Sequence, residues 1–143
     1  MNQLTYIDDR QLDHFILKKT LSRFGSSYEV KCTSTGAAVQ YLLSQYKLDS
    51  EKLPDIILID IYMRDFDAWA FLDDLQAIYP MLVKPVEVYV LSASRYAADV
   101  ERLKQYGFVK AFILKPITRE VLEMLIKQKE THMDRFRILE VQN

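Results

Sequence analysis

The sequence predicts an α/β fold, a doubly wound five-stranded parallel sheet flanked by five helices, and two observations carry that expectation. Strand-length apolar runs alternate with segments of helical periodicity, and each helical segment is long enough to serve as a crossover between parallel strands. The central run Asp55-Ile56-Ile57-Leu58-Ile59-Asp60 is apolar at four consecutive positions, so its side chains cannot all face one side. A strand of that kind needs helices over both faces of the sheet.

The elements follow in order. Leu4-Thr5-Tyr6-Ile7 reads as a short strand that runs into the acidic pair Asp8-Asp9. A helix is predicted over 12–22, with Leu12, Phe15, Ile16 and Leu21 at helical spacing on its inner face and Lys18, Lys19 and Arg23 toward water. Gly25-Ser26-Ser27 interrupts the pattern, and residues 28–32 alternate as a second strand. Ser34 or Thr35 offers a cap for a helix over 36–46, whose apolar face includes Val39, Leu42 and Leu43. Pro54 precedes the central strand, and a helix over 69–79 stops at Pro80. Pro85 precedes a strand over 86–91 that ends at Ser92-Ala93-Ser94; Gly107 closes a helix over 97–106. A fifth strand over 111–114 leads to the turn Lys115-Pro116, and Thr118 caps a last helix reaching about residue 129.

Half of the 143 residues are apolar, enough for one ordinary core and too few for two. The formal net charge of -1 provides no global basic field, so direct nucleic-acid binding is not expected. Cys32 is the only cysteine, which rules out a disulfide within the chain and suits a buried strand position better than a nucleophile. No leader-like start and no apolar run of about 18 residues is present, so a cytoplasmic protein without membrane insertion is expected. His14 and His132 lack a metal-ligand pattern and read as structural or surface residues, while Trp69 and Phe71 read as helix packing groups. The stretch 131–143 carries Phe136, Ile138, Leu139 and Val141, too apolar for a plain linker. It either prolongs the last helix, adds an edge strand or frays.

Ligand sites of open α/β sheets lie at the carboxyl ends of the strands, where Asp8, Asp9, Asp60, Ser92 and Lys115 all fall. Carboxylates gathered there repel one another unless a cation neutralises them, and a hard divalent ion such as Mg2+ suits oxygen ligands. Asp8, Asp9 and Asp60, with a backbone carbonyl near Tyr62, make up the predicted protein share of that site. Asp60 ends the most buried-looking strand and is the candidate phosphoacceptor, because a carboxylate attacks phosphorus once charge on the transferring group is neutralised. The Lys115 ammonium and the Ser92 hydroxyl are the candidate contacts to the phosphoryl oxygens, with no histidine base required. Phosphate on Asp60 gives Ser92 a new acceptor to move toward, and Phe112 is the candidate aromatic that exchanges between exposed and inward positions in response.

The ordered set Asp8-Asp9, DIYMRDFDAW from Asp60 to Trp69, Ser92-Ala93 and Lys115-Pro116 resembles the receiver domain of two-component response regulators, over nearly all of residues 4–129. The resemblance implies a flavodoxin-like receiver fold over 1–130, with 131–143 an extension and no separate output domain. It implies phosphotransfer to Asp60 from a sensor histidine kinase or histidine phosphotransfer protein, dependence on Mg2+, and autodephosphorylation. The expected function is a response regulator that switches protein–protein interactions or relays phosphate, toward a downstream protein target that the residues do not identify. Its own phosphotransfer and hydrolysis are the only catalysis expected, and a homodimer through the last two helices is compatible with the composition. Phe112 matches the family's aromatic switch position.

Arg64 stands where the family commonly has proline, and Ala68 where it has glycine, so a positive φ at Ala68 would impose strain. Tyr62, two residues beyond Asp60, is expected to influence access to the phosphoryl group. These departures leave a phosphorylation-independent scaffold as the alternative reading. A flavin-binding α/β protein fits less well, because the loops lack a phosphate-binding nest.

Overall fold

The computed structural model describes residues 2–23, 28–127 and 137–139, the last three as backbone only. The elements are β1 (Asn2–Ile7), α1 (Gln11–Ser22), β2 (Tyr28–Thr33), α2 (Ala37–Tyr46), β3 (Ile56–Asp60), α3 (Ala68–Ile78), β4 (Glu87–Ser92), α4 (Ala97–Leu103), β5 (Val109–Leu114), α5 (Arg119–Lys127) and β6 (Arg137–Leu139). Strand order is β2-β1-β3-β4-β5-β6, with every pairing parallel. The body is the expected five-stranded parallel sheet with five helices, and β6 adds outside β5 with Phe112 opposite Ile138. Of the alternatives for the extension, residues 137–139 take the edge strand; His132, Phe136 and Val141, like Gly25-Ser26-Ser27, lie outside the described residues.

The alternation of β3 divides the core as the continuous apolar run requires. Ile57 and Ile59 pack with Leu43, Phe71 and Leu75 on the α2 and α3 side, while Ile56 and Leu58 pack with Leu17, Leu122 and Leu125 on the α1 and α5 side. Helix starts follow local capping chemistry. Asp67 accepts hydrogen bonds from the backbone N–H groups of Trp69 (2.9 Å) and Ala70 (3.1 Å), so α3 begins at Ala68. Ala68 therefore has helical backbone, and the strain foreseen for a positive φ does not arise. Thr118 accepts from Val121 N–H at 3.2 Å and opens α5, as expected. Between α3 and β4, the 3₁₀ turn Tyr79–Met81 is fastened by the Tyr79 hydroxyl, which bonds both N–H and C=O of Val86 at 3.0 Å.

The inner face of α1 differs from expectation. His14, Leu17 and Leu21 are buried, whereas Leu12, Phe15 and Ile16 are 68%, 59% and 40% exposed. This helix is apolar on two faces, and periodicity cannot say which one the sheet covers. His14 decides it: its Nε2 donates to the Asp8 carbonyl oxygen at 2.7 Å, and its ring meets Tyr6 edge-on at 5.5 Å. Cys32 is half-buried on β2 and burial raises its thiol above the ordinary value.

Gly36, at the start of α2, lies directly under the Phe66 ring, and a Cβ there would overlap the ring edge. Gly36→Ala is expected to expel Phe66 from its place against the core and lower stability by about 1–3 kcal/mol, measured by urea unfolding. The added Phe66→Ala change should remove most of that extra cost, because the clash disappears with the ring.

Candidate functional site

The strand order reverses direction between β1 and β3, and the crevice beyond their carboxyl ends is where this topology binds ligands. β1 delivers Asp8 and Asp9 to that crevice, β3 delivers Asp60, β4 delivers Ser92, and the end of β5 delivers Lys115. Carboxylate oxygens of Asp8, Asp9 and Asp60 lie within 4.8 Å of one another, with Asp8 and Asp60 buried and Asp9 open to solvent. Lys115 Nζ donates to Asp8 Oδ2 at 2.6 Å, to Asp60 Oδ2 at 3.0 Å and to Asp13 Oδ2 at 3.0 Å. Its backbone N–H donates to the Ser92 carbonyl at 2.9 Å, which locks the β5 end beside β4.

Each acidic group is held by further donors. Asp60 Oδ1 accepts from Tyr62 N–H at 3.0 Å, Asp8 Oδ1 from Arg10 N–H at 3.0 Å, and Asp9 Oδ2 from Arg64 N–H at 3.0 Å. The Tyr6 hydroxyl donates to Asp8 Oδ2 at 2.6 Å. Ser92 Oγ accepts from Ser94 N–H at 3.1 Å and is buried. A cavity of about 490 Å³ is lined by Arg10, Asp60, Tyr62, Ser92, Tyr96 and Lys115 among others. A neighbouring one of about 960 Å³ runs past Asp9, Arg64, Asp67 and Trp69.

The electrostatics separate the two buried carboxylates. Burial pushes Asp8 up, but hydrogen bonds from Lys115, Tyr6 and Arg10 outweigh it and hold the carboxyl below its ordinary range. At Asp60 burial wins over the bonds from Tyr62 and Lys115, so its carboxyl is raised. Lys115 is pulled down by burial yet raised overall by Asp8 and Asp60.

The structure thus brings Asp8, Asp9, Asp60, Ser92 and Lys115 to one crevice. Phe112 is fully buried on β5, facing the α3 and α4 side. Sequence reasoning missed Tyr6 and Asp13. Asp13 had a signal, since an acidic residue in the first turn after the Asp8-Asp9 loop must lie near that loop; Tyr6 had none beyond alternation with Asp8 along β1.

The model of the response regulator receiver domain family matches residues 4–127. The chain belongs to that family. No curated protein matches it. Among solved structures, a two-component response regulator from Legionella pneumophila is similar at 17% identity and TM-score 0.77, over 92% of this chain and 100% of that one. One from Cytophaga hutchinsonii is similar at 24% identity and TM-score 0.74, over 90% and 96%. The receiver domain of a sensor histidine kinase from Pseudomonas aeruginosa, determined with a magnesium ion in its active-site cleft, is similar at 18% identity and TM-score 0.67, over 89% and 95%. As a receiver domain, this chain carries an acidic cluster capable of holding a divalent metal. No helix among the described residues is long and apolar enough to cross a membrane.

Removing Lys115 would leave the buried Asp8 and Asp60 carboxylates facing each other. Lys115→Met is expected to cost about 3 kcal/mol in metal-free buffer, with part regained on adding magnesium, both read by urea unfolding. Asp60 carries the opposite sign. Its folded-state carboxyl is raised above the ordinary 3.8, so the ionised form costs stability above the folded value, and the cost vanishes as pH falls below the unfolded one. Asp60→Asn should therefore unfold at higher urea than the unaltered protein at neutral pH without metal, and the difference should shrink on acidification.

Proposed function

We propose that this receiver domain accepts a phosphoryl group on Asp60 and thereby switches the surface it offers to a protein partner, or relays the group onward. The observation that carries this reading is the Asp60 carboxylate, 3.0 Å from Lys115 Nζ and grouped with Asp8 and Asp9, beside a cavity that Ser92 also lines. In the proposed step an Asp60 carboxylate oxygen bonds to phosphorus as the nitrogen–phosphorus bond of a phosphohistidine breaks and the imidazole leaves. The donor is a sensor histidine kinase or histidine phosphotransfer protein. Exposed Leu12, Phe15 and Ile16, on the helix that starts beside Asp9, support a protein donor.

The donor set fits a magnesium ion, because Asp8, Asp9 and Asp60 group together while the one ammonium, on Lys115, bonds only Asp8 and Asp60 of them and is shared with Asp13, leaving negative charge to be answered. Asp8, Asp9 and Asp60, with the Tyr62 backbone carbonyl, would hold it, and the ion supplies charge neutralisation on the phosphoryl oxygens. Lys115 gives the transferring group a fixed positive charge and exchanges part of its contact with Asp60 for a phosphoryl oxygen. Ser92 turns its hydroxyl from Ser94 N–H toward the new acceptor, drawing the β4–α4 loop with it. Phe112, inward here, is the proposed aromatic that follows on β5. Residues 1–130 form the proposed receiver unit, with 131–143 an extension, and the cytoplasm is the compartment in which such donors and a lone thiol fit.

Incubation with acetyl phosphate and magnesium, followed by intact mass measurement, is expected to add a phosphoryl group to the unaltered chain. Asp60→Asn, or chelation of the metal, should abolish the gain. An unaltered chain that stays unmodified where a verified receiver is modified would overturn the proposal.

A further inference from the structure

The wall of the Asp60 cavity toward α4 is aromatic. Tyr62 and Tyr96 meet edge to face, with ring centroids 6.3 Å apart and planes at 86°. The Tyr62 hydroxyl donates a hydrogen bond to Asp99 Oδ2, in the first turn of α4, while the backbone N–H of the same residue donates to Asp60. Asp99 is itself fastened by its N–H to the Tyr96 carbonyl at 3.1 Å. One residue therefore touches Asp60 at its backbone and α4 at its tip. Tyr62 lines this cavity and the larger neighbouring one, as Arg10 does.

Both rings are largely in water, at 53% for Tyr62 and 56% for Tyr96. An exposed tyrosine without an anchor exchanges rotamers freely and leaves no fixed wall. Here the anchor is a charge-assisted bond, stronger than a neutral one.

Resting on the reading of Asp60 as phosphoacceptor, we propose that Asp99 and Tyr96 are positioning residues that hold the Tyr62 ring as a fixed wall of the Asp60 cavity, and so limit how fast water reaches the aspartyl phosphate. In that hydrolysis a water oxygen bonds to phosphorus as the bond from phosphorus to the Asp60 oxygen breaks. The products are inorganic phosphate and the free carboxylate, and the water protons pass to phosphate and solvent. Attack must come in line, from the open side of the cavity. A ring tied to Asp99 narrows that side, and a released ring swings outward and clears it.

The test follows decay of the phosphorylated protein by intact mass after the small-molecule donor is removed, with magnesium retained. Tyr62→Phe and Asp99→Ala should each speed decay by about fivefold, the size expected for losing one hydrogen bond. The double variant should decay no faster than either single one, because both remove the same bond. Asp99→Asn keeps an acceptor and should restore most of the lifetime, and urea midpoints should stay close throughout. Unchanged decay in the single variants, or effects that multiply in the double, would overturn the latch while leaving Asp60 as phosphoacceptor. A chain that takes no phosphate at all would defeat both together.

Discussion

A single ammonium group answers three carboxylates at the carboxyl end of this sheet. Lys115 Nζ reaches Asp8, Asp13 and Asp60 at 2.6 to 3.0 Å, and so ties the last strand of the receiver to the first strand, the first helix and the central strand. Removing so many charges from water is unfavourable unless they meet partners at close range. The fold meets that demand by placing the ends of β1, β3 and β5 within one crevice, which requires the strand order seen here. The negative charge that Lys115 does not balance is the property that suits the crevice to a divalent cation.

Geometry explains why the two buried carboxylates behave differently although they share that ammonium. Asp8 collects donors from Tyr6, Arg10 and Lys115 and is held ionised. Asp60 has fewer donors and faces the cavity. A carboxylate that is short of donors, raised by burial and open to a cavity marks a candidate functional group on physical grounds. The better-served one is suited to a structural or ion-holding role.

The sheet and the crevice were legible in the sequence because their signals are local. The unbroken apolar run of β3 demands two covered faces, and Asp8, Asp9, Asp60, Ser92 and Lys115 each sit where an apolar run stops. The choice of inner face on α1 was not legible, because Leu12, Phe15 and Ile16 satisfy helical spacing as well as His14, Leu17 and Leu21 do. What separates them is a hydrogen bond from His14 to the Asp8 carbonyl, a tertiary contact with no trace in periodicity. The bonds of Tyr6 to Asp8 and of Tyr62 to Asp99 are likewise products of folding, the second joining residues 37 positions apart.

Trp69 is the only tryptophan in the chain, and it stands on the wall of the larger cavity together with Asp9, its ring capped by Arg102 at 4.1 Å. Indole emission is sensitive to nearby charge and solvent, and when the indole is excited selectively over the nine tyrosines the signal originates at one address, on the cavity wall that Asp9 shares. The protein thus carries its own optical probe, and events in the crevice can be watched in solution without attaching a dye.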